Sequence, residues 1–324
     1  MLFRKITLTP DTPKETPQTA KTPATGETPI YILGDTALAY FLAVKLTAAG
    51  NRIIIISHPQ ENTSLNTNGI TVKEDYQLQK QHYRLETAHW LKEEPQALII
   101  AASSSKIKSM LTCISKNKIK NTPVVSFSHL KDPQFVSDIL GVPVTQAYFD
   151  GWLRHHNQLV TAYGRAPEIT LCCETNSETY KCMEKIFAET HINLQNNNLP
   201  LQAFWKYFSV YAPCSLITTA SGKSIFEITK NKQLRNDLSA LLKEAVQLVP
   251  NSLSSYDSED LLKQIFNIPT NYIFPLAEQV SKHQTGDFDF ISSVIRDASL
   301  LNKCTLPETN KLLKKICEQL INQK

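Results

Sequence analysis

Hydrophobic positions along this chain fall into two regimes. Up to about residue 195, short apolar runs alternate with stretches of helical spacing; beyond Pro200 only helical spacing persists. The first run, Ile30-Tyr31-Ile32-Leu33, closes on Gly34. Ala37 to Ala49 follows with Leu38, Phe41, Leu42 and Leu46 at helical spacing, and Gly50 stands where a helix end favours glycine. Arg52 to Ile56 is a β-branched run suited to a strand buried on both faces. Strand, tight turn, helix and buried strand predict a βαβ unit. Ala97–Ala102 and Pro123–Phe127 predict third and fourth core strands, with a helix over Lys106–Lys116 between them. Val142–Phe149, Gln158–Tyr163 and Glu168–Cys173 read as further strands, and Ser177–Thr190 as a helix opened by Ser177 and Glu178. This alternation predicts an α/β fold with a Rossmann-type, mainly parallel, doubly wound sheet.

Gln195 to Pro200 is a polar break and the expected domain boundary. After it, Gln202–Leu216, Leu234–Leu248, Ser258–Phe266, Tyr272–Lys282, Phe288–Leu301 and Pro307–Asn322 predict an all-helical C-terminal domain. The expected units are a Thr/Pro-rich tail over 1–29, a Rossmann-type domain over 30–198 and a helical domain over 199–324. The tail carries five Thr-Pro pairs. Proline lacks an amide donor and disfavours helix in the residue before it, so an extended, solvated segment is expected there.

Composition narrows the partners. The chain has 324 residues, a net charge of +4 and a sequence pI of about 8.5, with no isolated block of Lys and Arg. A nucleic-acid partner is not expected. No run approaches the ~18 apolar residues of a membrane span, and Met1–Leu8 lacks the apolar core of a secretory signal. The seven cysteines are odd in number and match no zinc spacing, so reduced thiols, a cytoplasmic location and no metal are expected.

Chemistry is expected at the turn after the first strand. A dinucleotide fold binds pyrophosphate there through G-x-G-x-x-G: a turn glycine, a glycine that lets backbone approach phosphate, and one that lets helix pack on strand. Here the turn reads Gly34-Asp35-Thr36-Ala37-Leu38-Ala39. Ala39 is a mild change, Thr36 is a β-branched residue where phosphate approaches, and Asp35 adds negative charge at a helix N-terminus that favours anions. These residues suit a scaffold that binds no dinucleotide as well as one that does. At the end of the second strand, Ser57-His58 offers no carboxylate for an NAD ribose, so NADP is the expected preference if any.

Three stretches carry a family resemblance. Ile32 to Ala39 is similar to a V-L-G-x-G-A-L-G start. Phe204-Trp205 through Thr218-Thr219-Ala220, then Glu227-Ile228, is similar to a W-x-K-x-x-x-N-x-x-x-N-x-L-T-A segment. Asp287 to Ile291, followed by Leu306-Pro307-Glu308-Thr309, is similar to T-E-I-D-Y-I-N-G and a later V-P-x-N-T. In order and spacing, over residues 30–320, the chain resembles the ketopantoate reductases (2-dehydropantoate 2-reductases). The resemblance implies reduction of a ketone by NADPH in a cleft between two domains, with a cationic acid near the carbonyl oxygen. It places Tyr207 where the family has its catalytic Lys, with Lys206 beside it pointing roughly 100° away. It places Tyr211 and Ser215 at two Asn positions, Pro275 at a substrate-gripping Ser and Asp287 at a Glu. It places Ser103 at a cofactor-contacting Lys and Ser128 at an active-site Asn.

Lys206, Tyr207, Tyr211, Ser215 and Asp287 are therefore the catalytic candidates. Gly34, Thr36, Ala37, Ala39, Ser57, His58, Ser103 and Ser128 are the cofactor candidates. So many substitutions imply an NADP-dependent oxidoreductase by ancestry, with weak or lost activity on a small 2-keto acid or related metabolite. The alternative is a non-catalytic descendant that binds a metabolite or a protein, and a monomer or homodimer is expected. Outside these stretches, His155-His156 reads as a surface loop and His129 as a reserve general acid. Ser103-Ser104-Ser105 reads as a helix N-cap that could also seat an anion. Ser221-Gly222-Lys223-Ser224 lacks the earlier glycine and preceding strand of a phosphate-binding loop.

Overall fold

A computed structural model describes residues 28–103, 106–127, 134–250, 252–253, 257–270 and 272–322. Most of the Thr/Pro tail, Ser104, Ser105, Ser128 and His129 lie outside the described residues.

The expected βαβ unit is present as β1 (Ile30–Leu33), α1 (Ala37–Ala48) and β2 (Ile53–Ile56), and all eight strand residues are buried. β1 lies between β2 and β6 (Ala97–Ile100), parallel to both, with Ile30 opposite Ile53 and Ala97. Apolar side chains on both faces suit such a position, since each buried one contributes roughly 1.5–3 kcal/mol. One face packs against α1, with Phe41, Leu42 and Leu46 in its core, and against α5 (Glu178–Phe187). Tyr31, Leu33 and Ile54 meet the other face with α3 (Ile107–Leu111) and α4 (Gln134–Leu140).

The remaining strands are β3 (Ile70–Glu74), β4 (Gln79–Tyr83), β5 (Glu86–Ala88), β7 (Val124–Ser126), β8 (Thr145–His156), β9 (Leu159–Leu171) and β10 (Asn193–Asn196). The order is β4-β3-β9-β8-β7-β6-β1-β2-β5, with β10 on β9. β1 leads to β2 on one side while β6 pairs on its other side. The strand order therefore reverses between β1 and β6, and such a sheet opens its cleft at the carboxyl ends there.

Several expectations change. The three strands expected over 142–173 are two long antiparallel ones, β8 and β9, whose register shifts between Asp150 and Trp152. His155 and His156 end β8 and are not a loop. The polar break begins as an edge strand, with Gln195 opposite Thr170. α2 (Pro59–Asn68), α4, the β3–β4 hairpin and β5 were not expected. Lys45 and Glu74 form a buried ion pair of 2.9 Å that joins α1 to β3, and Tyr76 donates a further hydrogen bond to Glu74.

From Pro200 the described residues carry helices and no strand: α6 (Pro200–Ser221), α7 (Ile225–Lys230), α8 (Lys232–Leu248), α9 (Ser258–Ile265), α10 (Pro275–Ser281), α11 (Gly286–Asn302) and α12 (Pro307–Asn322). α6 runs through Pro213, which cannot donate to the Ser209 carbonyl one turn back. Gly222 ends α6 in the left-handed region and Ser224 opens α7 in a capping box with Glu227, so that stretch is a helix-to-helix junction. Tyr272 to Phe274 precede α10 and are not helical. No helix among the described residues is long and apolar enough to cross a membrane.

Candidate functional site

Between the carboxyl ends of the strands and helices α6, α10 and α11 lies a cleft of about 1400 Å³. Its surface includes Thr36, Ala37, Ser103, Lys206, Tyr207, Tyr211 and Asp287 among the sequence candidates. Gly34, Ala39, Ser57, His58 and Ser215 do not reach it.

Local packing explains the second group. A Cβ on Gly34 would stand 2.3 Å from the Ala101 carbonyl oxygen, so this glycine serves the approach of β1 to the end of β6. Ala39 is fully buried against the core. Ser57 is buried and donates to Asn62 Oδ1 at 2.6 Å, while Asn62 Nδ2 reaches the Ser57 and Ala88 carbonyls. That network fixes the start of α2 and leaves Ser57 no face toward the cleft. His58 precedes α2 as an exposed residue without a side-chain cap. Ser215 is fully buried among the helices, where its carbonyl accepts from Thr219 Oγ1 at 2.7 Å.

At the sheet end of the cleft, Thr36 is the N-cap of α1. Its Oγ1 accepts from the Ala39 amide at 3.2 Å and donates to the Ala101 carbonyl at 2.6 Å. Asp35 beside it is ion-paired with Lys106, its side chain only 5% exposed against 49% for Lys106. Asp35 raises the Lys106 pKa, chiefly through that hydrogen bond. The Ser103 carbonyl accepts from the Lys106 and Ile107 amides at 3.0 Å, just ahead of α3. A helix N-terminus that receives pyrophosphate offers free amides and positive charge. Here the Ala39 amide is capped by Thr36, and Lys106 is paired with the Asp35 carboxylate.

His155 is the residue whose place differs most from expectation. It lines the cleft, and its Nε2 is buried without a hydrogen-bond partner among the described residues. Burial lowers its pKa below the usual imidazole value. The edge of its ring meets Tyr40 at 4.8 Å, and Tyr40 donates to Glu61 Oε2 at 2.5 Å.

At the helical end the lining is aromatic. Tyr207 and Tyr211, one turn apart on α6, stack at 5.1 Å and 19°. Tyr148 of β8 lies 6.3 Å from Tyr207, and Phe274 lies 5.9 Å from Tyr211. Tyr211 donates to Asp287 Oδ2 at 3.0 Å, and Gln279 Oε1 accepts from the Asp287 amide at 2.9 Å. Burial lifts the Asp287 pKa above the usual carboxylate value, partly opposed by hydrogen bonds from Gln279 and Tyr211. Burial also drives both tyrosines well above the phenol range, with Asp287 adding to the effect. Lys206 is exposed on the neighbouring face of α6, as its 100° offset requires. Pro275 opens α10 on the same wall and offers no side-chain hydrogen bond.

A sheet with its reversal at β1, a helical half beginning near Pro200 and a cleft between them together define the fold of the ketopantoate reductases. Solved structures agree. A D-mandelate dehydrogenase holding NADH and anilino(oxo)acetate is 13% identical with a TM-score of 0.76, over 90% of this chain and 98% of that one. The 2-dehydropantoate 2-reductase of Geobacter metallireducens GS-15 is 10% identical with a TM-score of 0.76, over 89% and 99%. The ketopantoate reductase of Ralstonia eutropha JMP134 is 13% identical with a TM-score of 0.74, over 91% and 99%. No family model matches the sequence, and no curated protein matches it. The likeness is therefore one of fold, carried by architecture at low identity.

Proposed function

We propose that this chain is a ketopantoate reductase-like protein, an NADP-dependent oxidoreductase by ancestry, in which reductase activity is weak or lost. In this reading residues 30–198 and 199–324 are two domains, and the cleft between them holds a small 2-keto acid or related metabolite. The observation that carries it is the helical end of the cleft, where Tyr207 takes the position the resemblance gives to a lysine and Tyr211 bonds Asp287 at 3.0 Å. A ketone oxygen gaining charge needs a cation or a ready proton. A phenol raised well above its usual pKa supplies little of either at neutral pH. Losing one placed general acid costs about 10²–10⁴ in rate. Aromatic replacement of the orienting side chains also weakens the near-attack geometry.

The test follows NADPH consumption with ketopantoate and a panel of 2-keto acids. Turnover far below about 1 s⁻¹ is expected. Turnover at that level which falls on Tyr207→Phe would contradict the reading and assign the proton to Tyr207. A non-catalytic descendant is the second reading, favoured by the Asp35–Lys106 pair at the phosphate turn. Saturable binding of a 2-keto acid with no turnover under any condition would select it.

A further inference from the structure

The sheet end of the cleft holds more unanswered polarity than its structural bonds use. Asp35 sits at the N-terminus of the twelve-residue helix α1, and its side chain is 5% exposed. One carboxylate oxygen, Oδ2, meets Lys106. The other, Oδ1, is buried without a partner among the described residues. A buried charged oxygen left unpaired is costly, by about 1–3 kcal/mol or more. Such a cost is tolerated where a ligand completes the set.

A second orphan belongs to a residue that lines the same cleft. His155 Nε2 is buried without a partner, while the ring is also held toward the Asn157 backbone. Burial keeps this imidazole neutral at pH 7, so the unpartnered nitrogen is an acceptor when the proton sits on the other. Tyr40 links the two: its ring meets His155, and it lies close enough to feel both Asp35 and Glu61. The nearby charges are Asp35 and Glu61 against Lys106, one more negative than positive. Arg154, next to His155, is already paired with Glu278 at 3.2 Å.

We propose that this end of the cleft is a seat for an organic cation, an ammonium or guanidinium group, in the place where a dinucleotide fold would seat pyrophosphate. N–H donors of the ligand meet Asp35 Oδ1 and His155 Nε2. Lys106, half-exposed, holds the other oxygen, Oδ2, and its positive charge competes with that of a bound cation. Thr36 completes the exchange by capping the Ala39 amide, which removes a donor that phosphate would use. A metal ion is a poorer occupant, since no group of three or more His, Cys, Asp or Glu among the described residues is arranged to hold one. The inference does not depend on the activity of the helical end.

The probes are agmatine for a cation, and NADPH and inorganic pyrophosphate for the anions, each titrated calorimetrically at constant ionic strength. Agmatine is expected to bind the unmodified protein saturably, and the anions not at all. Asp35→Asn should weaken agmatine about tenfold or more by removing a charge-assisted acceptor. Lys106→Ala should tighten it several-fold by removing the competing positive charge, an effect opposite to that of a merely structural ion pair. Far-UV circular dichroism of each variant confirms that it is folded. Agmatine binding that Asp35→Asn leaves unchanged, no agmatine binding by either the unmodified protein or Lys106→Ala, or tight NADPH or pyrophosphate binding by the unmodified protein would each overturn the proposal. Turnover in the reductase assay would contradict the proposed function without explaining agmatine binding, so the two ideas fail separately.

Discussion

The two ends of the cleft differ in chemistry. The sheet end is charged and hydrogen-bonded, and the helical end is aromatic. β1 approaches β6 closely enough to require Gly34, and Asp35 and Thr36 occupy the turn that follows. At the helical end Asp287 is bonded by Tyr211 and surrounded by tyrosines, with Pro275 on the same wall. One end is charged, with Asp35 and Lys106, and the other is chiefly aromatic. The two ends rest on different cores, the sheet end on the one that packs β1 against α1 and the helical end on the one that includes Tyr211 and Phe274.

That separation can be broken most strongly at the scaffold. Glu74→Gln leaves Lys45 buried without its partner charge, and truncating one member of such a pair costs about 3–5 kcal/mol. Urea unfolding should show that loss. A cost below about 1 kcal/mol would place the pair among surface-like bridges. Gly34→Ala should cost comparably, because the new methyl meets backbone oxygen rather than a movable side chain. If it were neutral in thermal unfolding, the close approach of β1 to β6 would not be what demands glycine.

The cleft itself predicts a pH signature. The folded-state pKa of Asp287 is raised by burial above its usual 3.8. The native state then holds the proton more tightly than the unfolded chain does. Stability from this group is full below the unfolded pKa and is lost as pH rises through the folded one. Asp287→Asn, which keeps an acceptor for Tyr211, should therefore raise the melting temperature at pH 7 and leave it unchanged near the bottom of the carboxylate range. An equal shift at both ends would remove ionisation as the cause. The smallest effect belongs to the turn: Thr36→Ala deletes the α1 cap and should cost about 1 kcal/mol in urea unfolding.

How far these features could be read from sequence depends on the range of the contacts. β1, α1, β2 and β6 were legible because their apolar runs are uninterrupted and buried on both faces. α8 was legible because its apolar stripe is regular. β8 and β9 were divided because Asp150-Gly151 and Gly164-Arg165 interrupt the pattern, although the backbone continues through both. β10 and α2 are polar, so periodicity gave no signal. Tyr211 and Asp287 were placed through the resemblance, but their bond joins positions 76 residues apart. Lys106 and Asp35 are 71 apart, and His155 looked like a loop histidine because it follows an arginine near a turn. The signal that could have found it is the alternation along β8, which sends His155 and Leu153 to one face.

The proposal that reductase activity is weak or lost in this cleft turns first on the cofactor, and a titration of NADPH against the full chain, followed by quenching of cofactor fluorescence, tests it. The account predicts no saturable binding below the millimolar range, consistent with a capped amide and a carboxylate at the α1 terminus. A micromolar Kd, corresponding to about 8 kcal/mol of binding free energy, would contradict it.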